Sequence, residues 1–136
     1  MNEITRYQVN RVIVILIPKL PFLQWIFTVE PGLELTLAEL RAEQDALLLS
    51  ILEIETLQGA KAWAYRNWKV LFDKALCDWY TDERTWPSGR SLELFEQWFD
   101  IEWHPLVWDL SNIQIEKIDA FRNEDPTTDN RYPWKI

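Results

Sequence analysis

The chain has 136 residues, of which 48% are hydrophobic and nine are Trp. That is enough for one domain with a real core in which a few large aromatics dominate the packing energy. Its net charge of −8 is the reverse of the basic footprint that duplex binding needs, and it opposes contact with anionic membrane surfaces. Nucleic acid and membrane are therefore excluded as partners, which leaves a basic protein partner or plain solubility. A single Cys excludes an internal disulfide and fits a reducing, cytoplasmic compartment. No apolar run approaches the ~20 residues of a bilayer span. Val12–Ile17 is short, ends in Pro18-Lys19 and lacks a following small-residue cleavage site, so secretion is not expected.

In chain order, residues 1–10 are polar and read as a frayed end or an edge. Arg11–Ile17 (RVIVILI) is β-branched and unbroken, as in a strand covered on both faces. Pro21 suits the first turn of a helix, and Phe22, Trp25, Ile26 and Val29 share one face of it, so a helix is expected over 21–29. Pro31-Gly32 is a turn. Thr36-Leu-Ala-Glu39 matches a capping box and starts a short helix over 37–43. Ala46–Glu55 (ALLLSILEIE) reads as a central strand, with a helix as the alternative because Leu, Ala and Glu favour helices.

Thr56 then caps a long helix, 57–80, with an apolar stripe of Trp68, Leu71, Phe72, Ala75, Leu76 and Trp79. Cys77 sits on its apolar side as an inert small hydrophobe. Thr81–Arg90 is a loop with its turn chemistry at Trp86-Pro87-Ser88-Gly89. Ser91 caps a further helix that carries Leu92, Phe95, Phe99 and Glu102 on one side and stops at His104-Pro105. Leu106–Leu110 alternates as a strand, and Ile113–Ile118 is a second extended piece. Residues 122–136 read as an irregular arm. The whole predicts a single α+β (or α/β) domain over 1–121, with a small sheet of three or four strands packed with a long helix and shorter ones. The crossovers are long enough for parallel, right-handed strand units.

Charge is unevenly spread. Residues 30–55 hold seven acids and one base, and residues 91–125 hold nine acids and two bases, whereas 61–90 hold six bases and four acids. The plain reading is that the middle helix pairs with acidic neighbours; the functional one is an acidic face.

The run NWKVLFDKALCDWYTDERTWP, followed by LFEQWFDIEWHPLVWDL, resembles a set of small bacterial proteins for which no activity is known. The residues that carry the resemblance are Asn67, Trp68, Trp79, Asp82, Glu83, Trp86, Pro87, Trp98, Phe99, Glu102, His104 and Asp109. It covers about the central third of the chain. It implies a cytoplasmic bacterial protein and brings no reaction with it.

Three groups of residues could carry chemistry. Glu102-x-His104, with Asp109 five positions on, could form a general acid/base set. The helical spacing places Glu102 on an apolar face, where a carboxylate is desolvated unless partnered. Such carboxylate–imidazole mixtures also take divalent metals, but E-x-H is far weaker than H-E-x-x-H as a ligand pattern. A lone His closing a helix beside an acid is commonly structural. Asp82 and Glu83, with Trp86 and Trp134, could contact a protein partner, because loops carry function and exposed Trp is enriched at interaction hot spots. Trp68, Trp79 and Trp98 fall on core-facing stripes. No P-loop, Rossmann glycine pattern, zinc-ligand array or G-x-S-x-G elbow is present, so no cofactor and no metal centre are expected. The sequence thus favours a small acidic interaction protein without catalysis, whose partner offers a basic or aromatic-accepting surface. A metal-dependent or acid/base enzyme using Glu102, His104 and Asp109 is the alternative, and a homodimer through a Trp-rich face is a third reading.

Overall fold

The computed structural model describes residues 6–118. In chain order the elements are β1 (Tyr7–Gln8), β2 (Arg11–Pro18), α1 (Leu20–Val29), α2 (Leu37–Ala42), β3 (Ala46–Ser50), α3 (Leu57–Arg66), α4 (Trp68–Trp79), a 3₁₀ turn at Glu83–Thr85, α5 (Leu92–Trp98), β4 (Phe99–His104) and β5 (Trp108–Asp109). The class is α+β, as the sequence predicts.

The β-branched run of β2 forms the middle of a three-stranded sheet with order β3-β2-β4. Both pairings are antiparallel, with Ile13 opposite Leu48 on one side and His104 on the other. The parallel crossover expected from connection length does not occur. Two helices separate β2 from β3 and three separate β3 from β4, and connection length alone does not set the direction of return.

The sheet is covered on one face only, which corrects the reading of β2 as buried on both. Val12 and Val14 are fully buried and Leu16 packs on the main core, with Leu47 and Leu49 beside them on β3 and Phe99, Ile101 and Trp103 on β4. The other face carries Ile13, Ile15 and Ile17, half-buried between Ala46 and Leu48 on one flank and Asp100, Glu102 and His104 on the other. The main core lies between the covered face and the helices. It is an aromatic cluster in which Phe22, Phe72, Phe95, Trp98 and Phe99 meet with ring centroids 5.1–5.9 Å apart, mostly in edge-on or tilted geometries that suit the ring quadrupoles. A second, smaller cluster joins Val12, Val14, Ile54 and Ala60.

Three element boundaries differ from the sequence reading. The long helix 57–80 is broken at Asn67 (φ −108°, ψ 19°) into α3 and α4. There the Asn side chain donates to the Trp63 carbonyl at 2.8 Å, and its backbone amide is shared between the Trp63 and Ala64 carbonyls at 3.2 and 3.1 Å. The strand beginning at Ala46 ends at Ser50 and turns, so Ile51–Glu53 are not in the sheet. The helix from Ser91 ends at Trp98, and the chain passes at once into β4, so Glu102 lies on a strand and not on a helical apolar face. The Ile113–Ile118 piece forms no strand, and residues 110–118 are all exposed.

β1 and β5 prolong the β2–β4 ladder beyond the end of β3. Tyr7 is opposite Asp109 and Gln8 opposite Trp108, and the Val9 amide donates to the Val107 carbonyl at 2.9 Å. From Gln8 to Ile13 is five residues, whereas their partners Trp108 and His104 are four apart. One extra residue therefore sits on the N-terminal strand, a bulge opposite Pro105, which has no N–H to donate. No helix among the described residues is long and apolar enough to cross a membrane.

Candidate interaction groove

A groove of about 800 Å³ lies between α2, the start of β3 and α4. Its floor is the edge of the aromatic core: Phe22, Leu40, Leu71 and Phe99 are all buried there. Its rim holds the exposed carboxylates Glu39, Glu43, Asp45 and Asp78, with Lys74 as the single cation and Trp79 exposed beside them. Four acids against one base give the lining a net charge of −3.

Each wall is held by local chemistry that the sequence dictates. The capping box sets the first turn of α2: the Thr36 hydroxyl oxygen accepts from the Glu39 amide at 3.1 Å, and Glu39 Oε1 accepts from the Thr36 amide at 3.3 Å. Arg41 Nε donates to the Pro18 carbonyl at 2.9 Å and ties α2 to the end of β2. Lys74 of α4 bridges Asp45, on the β3 side, at 2.5 Å and Asp78, one turn along α4, at 2.8 Å. Burial pulls the Lys74 pKa down, but the hydrogen bonds its ammonium donates to the two carboxylates outweigh it and the net shift is upward. The ammonium therefore stays charged through the neutral range.

An apolar floor under an acidic rim can receive an apolar side chain carried between cations. The charge count over residues 30–55 already signalled the acids of one wall; that they face a core-floored groove, with Lys74 and Asp78 across it, depends on tertiary packing.

The residues singled out from sequence lie elsewhere. Glu102 and His104 come together on β4, with His104 Nε2 2.8 Å from Glu102 Oε2. They are i and i+2 on the uncovered face of the sheet, and about half of each side chain is exposed, 48% and 50%. Asp109 does not join them. Five residues further along, or ~16 Å at ~3.3 Å per residue, it alternates to the opposite side, where its Oδ1 accepts from the Ser111 amide at 2.9 Å. Among the described residues no group of three His, Cys, Asp or Glu is placed to hold a metal ion.

Asp82 caps the 3₁₀ turn: its carboxylate accepts from the Arg84 amide at 3.0 Å and from the Arg84 guanidinium at 2.9–3.2 Å, which holds its pKa below the usual range. Glu83 is half-buried in the same turn. Trp86, expected at the surface, is only 6% exposed. Its indole N–H donates to the Tyr80 carbonyl at 2.7 Å, and Arg90 lies over its ring at 5.3 Å from the centroid. The Trp86-Pro87 turn folds back onto the core because the indole has both an apolar bed and an acceptor there. Trp79, read as core, is exposed, and Cys77 is buried as expected. Trp134 and the arm 122–136 lie outside the described residues.

No family model, no curated protein and no solved structure matches the chain.

Proposed function

We propose that this chain is a small acidic interaction protein, and that the groove between α2 and α4 receives a segment of a partner protein in which an apolar or aromatic side chain is flanked by Lys or Arg. The observation that carries the reading is the pairing of a buried apolar floor with a rim of four exposed carboxylates. Buried apolar anchors supply most of the energy at such sites, and rim charges select the partner and speed encounter. The net charge of −8 acts in the same direction at longer range.

The test uses synthetic peptides with one central Phe or Leu, flanked on both sides by Arg in one set and by Glu in the other. Isothermal titration is expected to show binding by the Arg set alone. Reversing the rim charge with Glu43→Lys, which leaves the Thr36–Glu39 capping box intact, is expected to weaken it by about tenfold, the equivalent of ~1.4 kcal/mol, and Trp79→Ser is expected to weaken it as well. Equal binding of both peptide sets, or binding indifferent to the rim reversal, would remove the groove from consideration. Removing the internal cation with Lys74→Met makes the rim more acidic and is expected to tighten binding of the Arg set.

A further inference from the structure

The chain itself contains a segment that matches the ligand proposed for the groove. Residues 131–136 read RYPWKI: Trp134 stands between Arg131 and Lys135, and the six residues carry two basic side chains and no acidic one. The stretch before them is of opposite sign. Residues 119–130 hold four acids (Asp119, Glu124, Asp125 and Asp129) and one base (Arg122), so an acidic rim repels that stretch and attracts the one that follows.

The groove leaves a place for those cations. Lys74 already holds Asp45 and Asp78, and Glu39 is engaged in the Thr36 capping box. Glu43 makes no hydrogen bond or ion pair among the described residues. Trp79, 38% exposed on the α4 wall, offers an aromatic surface against which a guanidinium can lie. The volume of about 800 Å³ is in the range of sites that enclose a ligand larger than one indole. Reach is sufficient as well. Sixteen residues separate Ile118 from Trp134, and extended chain covers ~53 Å over that length. A compact domain of the size of residues 6–118 has a radius of gyration of only ~13 Å.

We infer that residues 131–136 occupy the groove of their own chain, with Trp134 on the apolar floor and Arg131 and Lys135 against the rim carboxylates, and that a partner has to displace them. The inference rests on the reading of the groove as a docking site. The same copy is favoured over a second one for two reasons. A short tether holds the segment at an effective concentration of ~1 mM, and two chains of charge −8 repel each other.

The full chain is the test sample, and the Arg-flanked peptides are the probe. Their affinity is measured by isothermal titration for the unaltered chain, for Trp134→Ser, and for Arg131→Glu with Lys135→Glu. An effective concentration of ~1 mM against an intrinsic dissociation constant of about 0.25 mM leaves the groove open about one fifth of the time, so both variants are expected to bind the peptides about fivefold more tightly than the parent. Adding Glu43→Lys to Trp134→Ser is expected to cancel that gain. Salt screens the internal contact as it screens the peptide, so affinity is expected to fall more steeply with salt in Trp134→Ser than in the parent. Amide chemical shifts of the unaltered chain give a readout independent of the variants: saturating peptide is expected to move the amides of 131–136, and dilution of the free chain is expected to leave them in place. Peptides that bind parent and variants equally overturn the inference and leave the groove reading standing. Peptides that bind none of the three chains remove the groove reading, and the inference with it. Amides of 131–136 that ignore bound peptide overturn the inference alone. Shifts that change on dilution do so too, because the segment then enters the groove of a second copy.

Discussion

Asp73 is the one buried charged side chain among the described residues, 8% exposed on α4. Its Oδ1 lies 3.4 Å from Arg90 Nε, across the loop that ends in Gly89 at φ 71°. Burial raises its pKa, and Arg90 and Lys69 offset this only in part. The folded state therefore binds the Asp73 proton more tightly than the unfolded chain does. The resulting stability is present below the unfolded pKa and is lost as pH rises through the folded value, so at neutral pH the ionised group is a liability. Asp73→Asn, which mimics the protonated form, is expected to unfold at a higher temperature than the parent at pH 7, with the gap closing as pH falls toward the carboxylate range. Thermal melts of both proteins at several pH values check the sign; a constant gap would mean that packing and not ionisation sets it. Removing the partner acts the other way. Arg90→Met leaves Asp73 buried without its nearest cation and takes the guanidinium off the Trp86 ring. The cost is expected to be about 2 kcal/mol, less than for a fully buried pair because 29% of Arg90 is exposed. None of this was readable in the sequence, where Asp73 sits among helix-surface charges and Trp86 reads as an exposed loop aromatic. The contact that defines both is made by a residue more than a dozen positions beyond Asp73.

Elements whose signals are local were legible in the sequence. Thr36 and Glu39 fix α2, Thr56 starts α3 and Ser91 starts α5, each through a hydroxyl oxygen accepting from a backbone amide three residues on. Thr56→Ala is expected to cost ~1 kcal/mol, and chemical denaturation reads it as a lower midpoint with an unchanged slope. The elements that were misread share a different property. At the α5–β4 junction the helical stripe of Phe95, Trp98 and Phe99 and the strand alternation of Phe99, Ile101 and Trp103 use one residue in common. No Gly or Pro marks the change, and a period-3.6 reading runs on until Pro105. Phe99 itself has φ −134° and ψ 137°, an ordinary extended backbone that leaves no trace in composition. Asn67 is the same case within a helix: it ends α3 and starts α4 with no Gly or Pro to mark the break, and its side-chain and backbone N–H groups both donate to the Trp63 carbonyl. Placing Glu102 on a helix followed directly from missing the first of these junctions. Its pairing with His104 rests on strand spacing instead, which brings i and i+2 together without burying either.

For the molecule as a whole, acidity is gathered by tertiary packing: the groove rim brings Glu39, Glu43 and Asp45 together with Asp78 over a buried apolar floor. The sequence shows the charge imbalance by segment, but which segments meet depends on the antiparallel return of β3 and β4, and that is fixed by tertiary packing. Contacts between the rim and a cationic segment are screened once the Debye length falls from ~10 Å at 0.1 M to ~3 Å at 1 M. Raising NaCl from about 0.1 M to about 1 M is therefore expected to lower affinity for the Arg-flanked peptides by tenfold or more. Peptide titration at both salt concentrations decides it. If the affinity does not change, the acidic rim does not select the partner, and the groove acts through its apolar floor alone.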